Sequence, residues 1–83
     1  MRFNIIWSDS ALKQLKKLDR FVAKRIFEKV SLLEDEPYRF IQKLVGSSFF
    51  KLRVGDYRII LEIKQDVLQI LIIKVGHRKS VYN

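Results

Sequence analysis

The dipeptide Gly55-Asp56, set between the strand-like runs FFKLRV and YRIILEI, limits what this chain can fold into more than any other feature. Two-residue hairpin turns need positive φ, which glycine supplies without strain. The pair therefore predicts a hairpin in which Val54 faces Tyr57, Arg53 faces Arg58, Leu52 faces Ile59, Lys51 faces Ile60 and Phe50 faces Leu61. The two-residue side-chain period then sorts this hairpin into two faces. One is apolar, with Phe50, Leu52, Val54, Tyr57, Ile59, Leu61 and Ile63. The other carries Lys51, Arg53 and Arg58, with Phe49 and Glu62 farther from the turn. Like charges directly opposite one another destabilise a sheet. Such a face suits an anionic ligand that neutralises it, although a solvated basic surface accounts for the same pattern. The expectation depends on register, because a slip of one residue would scatter the three cations over both faces.

At 83 residues the chain has room for one domain, which buries only about 60% of its unfolded surface. A hydrophobic fraction of 48% is enough for a packed core. No apolar run approaches the length of about 20 residues that spans a bilayer, and Met1 to Trp7 is too short for a signal-peptide core. The expected location is the cytoplasm, with no membrane partner. The absence of cysteine excludes disulfides and thiolate metal sites, and a single histidine, His77, makes a structural zinc site implausible. The net charge of +8 points to a polyanionic partner, nucleic acid first, since phosphate neutralisation supplies sequence-independent affinity.

Ahead of the hairpin, Arg2 to Trp7 alternates as a strand does. Ser8 is then placed to cap a helix, with Asp9 in its first turn and Ala11, Leu12, Leu15 and Leu18 at helical spacing. Lys13, Lys16 and Lys17 fall on the opposite side, which reads as a solvated face. Asp19 is placed to cap a second helix with Val22, Ile26, Phe27, Val30 and Leu33 on one side, so the two form a short antiparallel pair. Pro37 stops that helix. The acidic triplet Glu34-Asp35-Glu36 at its end cannot converge on one metal ion and reads as a solvated terminus. Tyr38 to Ser48 reads as a connection, with Lys43 a possible addition to the basic surface. After the hairpin, the runs 58–64 and 67–75 form a second pair around Gln65-Asp66. The last strand, VLQILIIKV, is apolar on both faces near its end, which suits the middle of a sheet. The expected fold is a single α+β domain: one strand, an α-helical hairpin, then a three-stranded antiparallel meander with the helices on one face of the sheet.

The inventory restricts the chemistry. A histidine acid-base pair is ruled out by His77 standing alone, and a two-metal nuclease needs convergent carboxylates where the basic face has only Glu62. What remains is a metal-free route in which lysine and arginine grip a phosphodiester and position a ribose 2′-OH for in-line attack. A lysine acts as base only where neighbouring cations pull its pKa below the ordinary value of about 10.4, and Lys51 lies beside Arg53 and Arg58. Arginine's planar fork suits bidentate phosphate contact. Tyr82 would offer a ring on which an unpaired base stacks.

The run KLRVGDYRIILEI followed by VGHRKSVY, after a strand and two helices, resembles the RelE toxins of the RelE/ParE superfamily of type II toxin–antitoxin systems. The resemblance implies a ribosome-dependent endoribonuclease that enters the A site and cuts messenger RNA there, needing no cofactor, with an acidic RelB-like antitoxin as partner. By position it makes Lys51 the residue that activates the 2′-OH, Arg58 the stabiliser of the phosphate in the transition state and Arg78 the residue that assists the leaving 5′-oxygen. Arg53 and Tyr82 become substrate contacts, with His77 and Lys43 grouped beside them. Phe49 occupies a position that is lysine in some members, and Tyr82 stands closer to Arg78 than in some. The ParE branch of the same fold, which poisons DNA gyrase, and a non-catalytic RNA- or ribosome-binding module are the alternatives.

Overall fold

In the computed structural model, which describes residues 2–77, the hairpin expected at Gly55-Asp56 is present with the expected register. Its strands are β3 (Phe50–Val54) and β4 (Tyr57–Lys64), and Gly55 adopts φ +57° at the turn. The preceding elements are a strand β1 (Asn4–Trp7), helix α1 (Asp9–Lys16) and helix α2 (Arg20–Ser31). Ser8 caps α1 by accepting from the Ala11 N–H at 3.0 Å, and Asp19 caps α2 by accepting from the Phe21 N–H at 3.1 Å. Both caps satisfy donors that a helix start leaves unpaired.

Three further features complete or adjust the expected layout. A short strand, β2 (Ile41–Lys43), lies within the segment expected to be a plain connection and pairs antiparallel with β3. It ends in a loop that is closed by the Leu44 N–H donating to the Phe49 carbonyl at 3.0 Å. The last strand, β5 (Gln69–His77), joins β4 through a 3₁₀ turn, Gln65–Val67, and Leu68 at φ +52°, rather than through a two-residue turn. Without a glycine, Gln65-Asp66 has no cheap route to positive φ at both central positions. The strand order is β1-β5-β4-β3-β2, with β1 parallel to β5 and all other pairs antiparallel. β5 is therefore interior, as its two apolar faces require, but β4 is the central strand.

The core lies between the helices and one sheet face. Ala11, Ile26, Val30 and Leu33 meet Leu52, Val54, Ile59, Leu61, Ile70, Ile72 and Val75, all buried. The helices approach the sheet more closely than each other, α1 along β5 and α2 across β3. Trp7 and Phe27 stack at 6.0 Å between ring centroids, joining β1 to α2. α2 ends at Ser31, and a 3₁₀ turn, Leu32–Glu34, carries the chain into the acidic triplet. That triplet lies at the surface as expected, with Asp35 and Glu36 exposed, and makes surface ion pairs from Glu34 and Asp35 to Arg2 and from Glu36 to Arg39. No helix among the described residues is long and apolar enough to cross a membrane.

The β4–β5 ladder is broken by a β-bulge. Ile60 pairs with Lys74 but Leu61 pairs with Ile72, so Ile73 is the extra residue. The polar groups that the bulge frees are taken up by α1. The Ser8 hydroxyl donates to the Ile73 carbonyl at 3.0 Å, and the Val75 N–H donates to Gln14 Oε1 at 2.7 Å.

Candidate nucleic-acid interface

On the sheet face away from the helices, the strand registers align side chains in rows. Arg53 and Arg58 are direct cross-strand partners, and Gly76 of β5 continues their row without adding a side chain. The next row holds Gln42, Lys51, Ile60 and Lys74 from four adjacent strands. Lys51, Arg53 and Arg58 thus share one face because odd positions of β3 and even positions of β4 point the same way across the turn.

These three cations line an open cleft of about 170 Å³ together with Phe40 and Gln42. Arg53 is exposed and Lys51 half-buried, whereas Arg58 is only 4% exposed and is the sole buried charged residue among those described. Of the two readings open for this face, an anion-binding surface and a solvated basic one, full solvation does not hold at Arg58. A guanidinium taken out of water is costly unless anionic or hydrogen-bonding groups meet it. Placed at the base of a cleft, it offers a rigid, partly desolvated fork to a phosphate. Arg53 opposite adds a second positive charge, and a bound anion between them removes the repulsion that the pairing otherwise carries.

Two of the expected site residues lie elsewhere. Lys43 pairs with Phe50, so it points to the helix-bearing side of the sheet and away from the cleft. His77 pairs with Tyr57, and their rings meet edge to face at 5.5 Å, again on the helix-bearing side. In both, strand alternation decides the face: Gln42 takes the cleft side where Lys43 was expected, and Gly76 takes it where His77 was expected. Arg78 and Tyr82 lie outside the described residues.

Phe40 and Gln42 belong to the site and were not expected there. Their alternation with Ile41 is a strand signal, but three residues beside a 3₁₀ turn are too short a run to be read. The Phe40 ring has the Lys29 ammonium and the Arg39 guanidinium each 5.7 Å from its centroid. A smaller cleft of about 140 Å³ lies on the other side, between Val22 and Arg25 of α2 and the residues 54–57 of the turn.

Residues 5–82 match the family model described as the ParE toxin of type II toxin–antitoxin systems. A RelE-like toxin protein of Escherichia coli is 30% identical over 88 residues, covering all of this chain and 93% of that protein. Among solved structures, the toxin–antitoxin complex RelBE2 of Mycobacterium tuberculosis superposes with a TM-score of 0.86 at 25% identity, covering 94% of this chain and 100% of the other. The archaeal RelE–RelB complex of Pyrococcus horikoshii gives 0.82 at 28% identity, covering 94% and 97%. The shared features are two helices on a five-stranded open sheet.

Proposed function

The chain belongs to the RelE/ParE family of type II toxin–antitoxin toxins, and from that membership we propose that it is a metal-independent endoribonuclease that cleaves messenger RNA in the ribosomal A site. The observation that supports this reading is the gathering of Lys51, Arg53 and Arg58 in one cleft, with Arg58 buried at its base. The scissile phosphodiester lies between Arg53 and Arg58, whose donors hold its non-bridging oxygens and stabilise the charge that grows on them. Lys51, in its neutral form, accepts the proton of the 2′-OH. The 2′-oxygen forms a bond to phosphorus as the bond to the 5′-oxygen breaks, leaving a 2′,3′-cyclic phosphate and a 5′-hydroxyl. Arg78, assigned by family resemblance, stabilises the charge on that leaving oxygen, which takes its proton from water. Tyr82 is assigned in the same way to stacking on the substrate base. Holding the reacting groups in line accounts for much of the acceleration in such a mechanism.

Two solved relatives are described as complexes with RelB antitoxins, and an acidic RelB-like antitoxin is proposed as the partner that neutralises this chain of net charge +8. The proposed place of action is the cytoplasm, where ribosomes are found. The test is cleavage of ribosome-bound mRNA carrying a single 2′-deoxynucleotide at the scissile position. Attack by the 2′-oxygen predicts loss of cutting at that position only, and unchanged cutting there refutes the mechanism.

The match to a ParE family model favours gyrase poisoning as the second reading. It predicts inhibition of DNA supercoiling that survives Lys51→Ala and Arg58→Ala.

A further inference from the structure

The bulge in β5 decides where one more cation points. Strict alternation from Ile70 and Ile72 would send Lys74 into the core and bring Ile73 to the cleft face. With Ile73 as the extra residue, Val75 takes the next core position at 2% exposure, and Lys74 emerges exposed opposite Ile60. The arrangement is fixed from behind by Ser8, the N-cap of α1, and by Gln14 within that helix, each bonded to a backbone group of the bulge. Bulges next to binding sites commonly serve to re-aim a side chain.

Lys74 closes the row Gln42, Lys51, Ile60, Lys74 across the sheet. Two strand spacings put its Cα about 10 Å from that of Lys51. Only the apolar Ile60 stands between them in that row. The acid on this face, Glu62, lies one row away opposite Leu71, and Lys74 has no ion-pair partner among the described residues. That separation exceeds the width of one phosphate group, so Lys51 and Lys74 suit successive phosphates of one strand.

We infer that Lys74 forms a second phosphate subsite, which holds the phosphodiester next to the one in the cleft as a single strand of RNA crosses the sheet from β3 over Ile60 to β5. The inference rests on the RNA-cleaving reading and adds a positioning residue to it. Because Lys74 is not among the residues that line the cleft with Lys51, Arg53 and Arg58, it aligns the strand without taking part in the bond changes.

The test is fluorescence anisotropy of a labelled single-stranded oligouridylate against salt concentration, for the parent, Lys74→Ala, Lys74→Arg and Lys51→Ala. For a single strand, the slope of log affinity against log salt is about −0.7 per phosphate neutralised. Lys74→Ala is expected to flatten the slope by about 0.7 and to weaken binding roughly three- to tenfold at low salt. Lys74→Arg restores both, which a merely structural lysine would not show. A parent-like slope for Lys74→Ala, alongside a flattened one for Lys51→Ala, overturns the subsite and leaves the cleft reading standing. Parent-like slopes for both variants overturn the subsite and the RNA-binding reading together.

Discussion

Gln14→Ala removes the acceptor that α1 offers to the bulge, and its cost can be worked from the structure. The Val75 N–H donates to Gln14 Oε1 at 2.7 Å, and Val75 is 2% exposed, so water has little access to the donor once the amide is gone. Leaving a buried donor unsatisfied costs about 1–3 kcal/mol. Alanine recovers a few tenths of a kcal/mol through its higher helix propensity, which trims the loss without reversing it. For a domain of this size each kcal/mol moves Tm by about 4–8 °C, so the variant should melt roughly 5–20 °C below the parent. The assay is thermal unfolding followed by circular dichroism, with urea denaturation as a check that the m-value is unchanged. Gln14→Glu keeps an oxygen within reach of the N–H and should retain most of the parent's stability. A Gln14→Ala variant that melts within about 2 °C of the parent, or a Gln14→Glu variant as unstable as Gln14→Ala, refutes the account of how the bulge is held.

Three further outcomes are expected. Arg58→Ala should keep the fold, because no core contact is removed from the helix-bearing face, while cleavage falls at least about 100-fold in single-turnover kinetics, the scale for losing one charge-stabilising donor. Gly55→Ala places a side chain at φ +57°, and the left-handed backbone should cost about 1–2 kcal/mol, read as a drop of roughly 4–16 °C in Tm. The added Cβ would stand 3.5 Å from the Arg25 guanidinium, an ordinary contact, so the cost comes from the backbone alone. Glu34→Ala breaks an ion pair whose Arg2 partner is largely exposed, and stability in urea should change by less than about 1 kcal/mol.

The parts of the fold that can be read from sequence are those with local causes. Gly55-Asp56 fixes the hairpin register, and with it the shared face of Lys51, Arg53 and Arg58. Ser8 and Asp19 announce both helix starts, and the apolar period of α2 names Ile26 and Val30 as core. The parts that cannot be read depend on distant partners. The parallel pairing of β1 with β5 joins residues more than sixty positions apart, and nothing in RFNIIW encodes its partner. The bulge at Ile73 is hidden in LIIKV, where isoleucine on either face looks equally apolar. Its consequence, Lys74 on the cleft side, is hidden with it. Lys43 and His77 were grouped with the substrate contacts, but alternation turns each to the far side of the sheet. The burial of Arg58 is a tertiary property, set by what surrounds the cleft rather than by its own neighbours in the chain.

The most direct measurement is primer extension on mRNA held in programmed ribosomes with an empty A site, comparing parent and Arg58→Ala with each shown to be folded by circular dichroism. The account predicts new stops within the A-site codon for the parent and none for Arg58→Ala. Absence of stops with the parent, or stops of equal strength with the variant, would contradict the claim that the Arg58 cleft cleaves ribosome-bound RNA.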